Sequence, residues 1–155
     1  MSNDADFQVP EGFAPFLAEG TGMLTHVGPI YFKIADGKGH LAFRVMDHHL
    51  NPAGDCHGGM LATVVDVQCG FGSNVGANLD RFLPTISLTC DYLEPGKKGD
   101  WIVGHTEVVK VTRRMVFCEA RLMVDDRVLL RANGIMKLPS PDDKRYQFRT
   151  PHTGD

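Results

Sequence analysis

The residues best equipped for chemistry crowd one short stretch. From His48 to Met60 the chain carries His48, His49, Asn51, Gly54, Cys56, His57, Gly58 and Gly59, and Asp66 follows. Gly58 and Gly59 open an apolar run with helical spacing. Backbone N–H groups at a helix start lack partners and sit at the positive end of the dipole. Such a start can hold a carboxylate or polarise a carbonyl. Asn51 can donate or accept hydrogen bonds within the loop, and Asp66 places a carboxylate among Val64, Val65 and Val67. Cys56 beside His57 has the residue types of a nucleophile and its base, but neighbouring side chains diverge and nothing nearby would orient the imidazole. His48, His49, Cys56 and His57 match no recognised zinc spacing, so no metal is expected. Lys97, Lys98, Arg113 and Arg114 fall in two turns, where they could meet phosphates or simply keep the turns solvated.

The elements that must position these groups follow from periodicity. Met60, Leu61, Val64, Val65, Val67 and Phe71 predict a largely buried helix from His57, with Gly70, Gly72 and Gly76 marking its end. Before it, residues 30–34 and 40–46 read as strands around a turn at 35–39. After Pro84, residues 85–93, 101–111, 115–124 and 128–138 read as four more strands. Within the first of these, Ile86, Leu88, Cys90 and Tyr92 alternate against Thr85, Ser87, Thr89 and Asp91. Phe13, Phe16 and Leu17 predict a short amphipathic helix near the start. The fold class is α+β: one long central helix wrapped by a mainly antiparallel sheet of about six strands. One helix cannot cover such a sheet at both ends, so self-association is expected.

The chain of 155 residues suits one domain, with a leader at 1–10, a body at 11–138 and a polar, proline-containing tail at 139–155. A net charge of −3, from 16 Lys and Arg against 19 Asp and Glu, gives no basic surplus for nucleic acid. No apolar stretch approaches the ~20 residues of a membrane span. The acidic N-terminus does not read as a secretory signal, and four scattered cysteines fit free thiols, so a cytoplasmic protein is expected.

The pattern H-x-N-x-x-G-x-x-H-G-G, with an Asp seven residues after the second Gly, is formed here by His49, Asn51, Gly54, His57, Gly58, Gly59 and Asp66. It resembles the hotdog-fold acyl-CoA thioesterases of the phenylacetate-pathway (PaaI-like) type. Thr85 and the turn from Asp91 to Gly96 resemble the family's strand after the helix, and the likeness spans about residues 23 to 138.

The resemblance implies metal-independent hydrolysis of an acyl-CoA to coenzyme A and a carboxylic acid, with no separate cofactor. It implies that the Gly58 N–H polarises the thioester carbonyl and that Asn51 and His57 shape the loop. Asp66 would act as nucleophile or general base, and Thr85 would orient water or the carboxylate. Gly59, His49, Lys97, Arg113 and Arg114 would contact substrate; apart from the resemblance, helix and strand faces bearing Phe71, Phe82 and Tyr92 could line a pocket for an aryl or aliphatic chain. Gly58 and Asp66 are eight residues apart, ~12 Å along one helix, too far to share one carbonyl. A two-fold dimer, itself able to pair into a tetramer, would supply Gly58 from one chain and Asp66 from the other. Two alternatives use the same elements: a hotdog hydratase or dehydratase, and an acyl-CoA-binding module without catalysis.

Overall fold

The computed structural model describes residues 7–16 and 22–147. Seven strands form one antiparallel sheet: β1 Ala14–Pro15, β2 Tyr31–Ala35, β3 Lys38–Arg44, β4 Thr85–Tyr92, β5 Trp101–Val111, β6 Met115–Val124 and β7 Arg127–Lys137. Their order across the sheet is β1-β2-β3-β5-β6-β7-β4. A five-residue helix, α1 (Met23–Val27), precedes β2, and the long helix α2 runs from Gly58 to Gly76. The inner face of the sheet closes on α2, which packs against β3, β5, β6, β7 and β4. This is the expected hotdog arrangement, with one strand more than the sequence suggested.

The core follows from α2 being apolar over much of its circumference. Val64, Val65 and Cys69 are fully buried, against Leu41 and Phe43 of β3, Ile102 of β5, Leu122 of β6 and Leu129 and Leu130 of β7. One buried polar side chain fixes where the helix lies. Gln68 Oε1 accepts the Leu41 N–H at 2.7 Å, while Nε2 donates to the Gly39 carbonyl at 2.9 Å and to Thr106 Oγ1 at 2.8 Å. Both ends of the amide are thus satisfied, and α2 is tied to β3 and β5 together.

That tie explains one glycine read as a helix end. The helix continues through both Gly70 and Gly72, and Gly72 is there because its position needs room. A Cβ on Gly72 would lie 2.4 Å from Thr106 Oγ1, and one on Gly104 would lie 2.5 Å from Gln68 Oε1.

The N-terminal expectation is corrected. Ala14 and Pro15 form a strand paired with Phe32 and Tyr31, and the Phe16 N–H donates to the Ile30 carbonyl at 2.8 Å. Phe13 meets the Trp101 ring at 5.3 Å, whereas Phe16 enters the core against Phe32 and Phe71. Three residues apart, they would share a helix face, but here they serve opposite faces of the sheet. Gly12, at φ +86°, sets the turn that precedes them. Leu17 lies outside the described residues.

The leader and tail are partly anchored. Phe7 packs on Trp101 and under Arg44. In the tail, the Phe82 N–H donates to the Tyr146 carbonyl, the two rings stack, and Arg81 Nη1 donates to the Pro139 carbonyl. Pro139 and Tyr146 of this stretch are thereby held against residues 81–82. No described helix is long and apolar enough to cross a membrane.

Candidate active site

The loop before α2 is built around Asn51. Its Oδ1 accepts the N–H groups of Ala53 at 2.9 Å and Asp55 at 3.1 Å, and its own N–H donates to the Asp55 carbonyl at 2.7 Å. These bonds make a compact turn, with Gly54 at φ +86°, a conformation open to glycine at little cost. The turn delivers His57 to the N-cap of α2. There the His57 N–H donates to the His49 carbonyl, and its Nδ1 accepts the Gly59 N–H at 2.8 Å.

This cap divides the two glycines. The Gly59 N–H is taken by His57, while the Gly58 N–H has no acceptor among the described residues. Gly58 lines an open groove with Asn51, Asp55, Leu61, Tyr92 and Leu93. Its free donor, at the positive end of a 19-residue helix, is suited to a carbonyl oxygen. Tyr92 completes the arrangement by donating its hydroxyl to the Gly58 carbonyl at 3.2 Å. A Cβ on residue 58 would meet the Tyr92 ring at 3.2 Å, so the tyrosine favours glycine here. The sequence suggested only a lining role for Tyr92.

Two turns along the helix, Asp66 is half-buried, and its Oδ1 accepts the Thr85 hydroxyl at 2.6 Å. Both residues line a cavity of about 180 Å³ whose other walls include Phe16, Leu24, Phe71, Phe82, Leu83 and Met136. Simple alternation places Thr85 opposite Leu88 and Cys90. A bulge between Thr85 and Ser87 changes this: Thr85 pairs with buried Met136, and Leu88 pairs with Gly134. Thr85 thereby joins the helix-facing side, and Ile86 is turned outward. Gly58 and Asp66 stay in separate recesses within one chain.

The remaining expected residues are dispersed. His49 is buried, with Nδ1 accepting the Met46 N–H at 3.0 Å and Nε2 meeting the Val27 carbonyl at 2.7 Å. His48 Nε2 meets the Gly28 carbonyl at 2.9 Å. Together these rings hold the α1–β2 connection. His49 therefore positions backbone and presents no ring nitrogen to a ligand. Lys97 pairs with Asp55. Arg113 and Arg114 share a different cleft with Arg81 and Lys137, so the three expected cations do not form one site.

Cys56 is buried, and its thiol is pushed up to about 12 by burial and then by the Asp100 carboxylate. It faces no imidazole, since its sulfur lies 4.0 Å from the His57 carbonyl while the ring engages Gly59. Among the described residues no three or more His, Cys, Asp or Glu side chains converge as metal ligands.

Comparison with known proteins bears on the family and the fold. Residues 53–130 match the family described as the thioesterase superfamily. A Pseudomonas aeruginosa protein whose name assigns it provisionally as an esterase is 35% identical over 133 residues, covering 84% of this chain and 98% of its own. Among solved structures, zebrafish thioesterase superfamily member 2 superposes with a TM-score of 0.69 at 22% identity, covering 78% of this chain and 89% of that one. The Escherichia coli PaaI protein of the phenylacetic acid degradation operon gives 0.62 at 18%, covering 72% and 80%. A Streptococcus pneumoniae hypothetical thioesterase solved with coenzyme A gives 0.61 at 24%, covering 70% and 86%.

Proposed function

The chain belongs to the thioesterase superfamily, and from that premise we propose that it hydrolyses acyl-CoA thioesters to coenzyme A and a carboxylic acid. The observation that carries this reading is the Asp66 carboxylate, held by the Thr85 hydroxyl at 2.6 Å in the wall of an apolar cavity. The cavity suits an acyl group, and the carboxylate is placed to activate water or attack the thioester carbon. The Gly58 N–H, left free by the His57 cap, supplies the donor for the developing oxyanion. In this mechanism Asp66 takes a proton from water as the water oxygen attacks the carbonyl carbon. Collapse of the tetrahedral intermediate then breaks the C–S bond and releases the thiol of coenzyme A. As a nucleophile, Asp66 would instead pass through a mixed anhydride that water opens.

Two copies complete the site. Gly58 and Asp66 lie eight residues apart on α2, ~12 Å of helix axis, so one carbonyl reaches both only if the donor comes from a partner. Edge strand β4 supports pairing: it has a neighbour on one side only, and Ile86, Tyr92 and the adjoining Leu93 are exposed. The dimer, and a tetramer built from it, would bury this edge. The coenzyme A seen in the Streptococcus pneumoniae structure supports the choice of thioester. Arg113 and Arg114, in the cleft with Arg81 and Lys137, are then candidates for its phosphates. No metal enters the scheme, and the free thiols Cys56, Cys69, Cys90 and Cys118 fit a cytoplasmic enzyme.

Thiol release from a panel of acyl-CoAs tests the reaction. Asp66→Asn is expected to lower kcat by at least ~100-fold with KM largely kept. Unchanged turnover in that variant removes Asp66 from the mechanism, whereas hydration without thiol release would identify a hydratase.

A further inference from the structure

The cavity beside Asp66 reaches an amide that the described chain leaves half satisfied. Asp66, Gly70 and Asn74 stand four residues apart on one stripe of α2, and all three line that cavity. Eight residues make ~12 Å of helix axis, so the stripe forms a floor running from the carboxylate to Asn74. Gly70 presents no side chain to this floor, and a Cβ there would stand at an ordinary contact distance, 3.6 Å, from Met136 Cε. Phe71, Phe82 and Leu83 supply apolar wall.

Asn74 is 6% exposed. Its Oδ1 accepts the Arg81 N–H at 3.5 Å, but its Nδ2, with two N–H groups to give, has no acceptor among the described residues. Nor is this nitrogen sealed in. Among the described residues Ser73 Oγ is the single fully enclosed side-chain nitrogen or oxygen without a partner. Asn74 is one of the cavity's lining residues, so its unpaired amide belongs to that wall. A donor left unmet in such surroundings is costly, and an acyl group filling the cavity without an acceptor would leave it unmet.

We infer that the acyl group accepted here is of medium length and carries an oxygen acceptor, a hydroxyl or carbonyl, at its far end, and that Asn74 reads it. The inference rests on the thioester hydrolysis proposed above and adds to it the chemistry of the acyl tail. The floor from Asp66 to Asn74, ~12 Å of helix axis, sets the length: an extended six-carbon chain spans ~7.5 Å, and a contact distance of ~3 Å at each end covers the rest. A chain of that size, its carbonyl beside Asp66, places a terminal oxygen near Asn74. A specificity site of this kind discriminates because the analogue without the oxygen leaves the donor buried and unpaired.

The test compares hexanoyl-CoA with 6-hydroxyhexanoyl-CoA by thiol release, in the wild type and in Asn74→Leu. The wild type is expected to favour the hydroxy ester by ~10-fold or more in kcat/KM, and Asn74→Leu to erase or invert that preference while still hydrolysing hexanoyl-CoA. Equal kcat/KM for the two esters in the wild type overturns the inference, whether or not the variant folds. An equal loss on both esters in a folded Asn74→Leu also overturns it, because a structural role alone would do that. Failure of the wild type to release thiol from either ester, with release from another acyl-CoA of the panel, overturns this inference alone, whereas no release from any member of the panel overturns the hydrolysis with it.

Discussion

Thr85 Oγ1 lies 2.6 Å from Asp66 Oδ1, joining the edge strand β4 to the central helix through a charge-assisted hydrogen bond. It donates its proton to one carboxylate oxygen and leaves the other for substrate or water. Thr85→Val keeps the shape and removes the donor. The expected result is a kcat ~10- to 100-fold lower with KM little changed, matching the 1.5–3 kcal/mol of such bonds. Thr85→Ser should recover most of the loss. Steady-state kinetics of the three proteins checks this, and full activity in Thr85→Val would leave the contact without a catalytic part.

The two-chain site predicts complementation between inactive variants. Gly58→Pro removes the free N–H at the first helical position, and His57 at ψ 133° already has the extended backbone that precedes proline, although the added Cβ presses on the Tyr92 ring. Asp66→Ala removes the carboxylate. Each homodimer is expected to be nearly inactive once circular dichroism has shown that it folds. Refolding equal amounts together makes half the dimers mixed, each with one intact site, so about a quarter of wild-type activity should return. Mixed dimers without activity would place both groups in one chain.

His49 makes stability depend on pH. Burial holds its pKa below 6.5 despite opposing backbone hydrogen bonds, and its Nδ1 must stay unprotonated to accept from Met46. The unfolded chain therefore binds the proton more readily. The His49 contribution is full above pH 6.5 and is lost as pH falls through the lowered native value. His105, lowered by burial and by its neighbours His40 and Lys38, acts in the same direction. Urea midpoints measured from pH 7.5 to 5 should fall in the wild type and fall less steeply in His49→Gln. Parallel slopes would show that His49 does not titrate differently on folding.

The Gln68 tie predicts a cost far from the chemistry. Gly104→Ala drives a Cβ to 2.5 Å from Gln68 Oε1, forcing either the strand or the buried amide to shift. A destabilisation of ~1–3 kcal/mol is expected from overpacking, more if the amide loses its partners. Chemical denaturation measures it, and an unchanged midpoint would show that the amide can yield.

The long helix, the strands around it and the loop from His49 to Gly59 were legible because each depends on local signals: helical periodicity, alternation and glycine at a helix start. The structure bears out the hotdog resemblance drawn from that loop. Other features depended on distant partners. The bulge that brings Thr85 to Asp66 is set by the register against β7, and alternation alone turns that residue the wrong way. Phe13 and Phe16 carry helical spacing, yet Trp101 and Phe71, far along the chain, draw them to opposite faces. Gly72 reads as a helix breaker because sequence does not reveal how closely Thr106 approaches it. His49 stood at a motif position, but its two backbone partners show that it supports the loop from beneath.

The Gln68 amide also has a consequence for inheritance. Gly39 supplies its carbonyl, Gly104 the space for its carboxamide and Thr106 its hydroxyl partner, while Gly72 makes room for Thr106. A change at any one of these positions spoils the fit for another. Descendants of this sequence can then leave the arrangement only by replacing several of its members together, so drift on the floor of the fold should proceed in rare concerted steps.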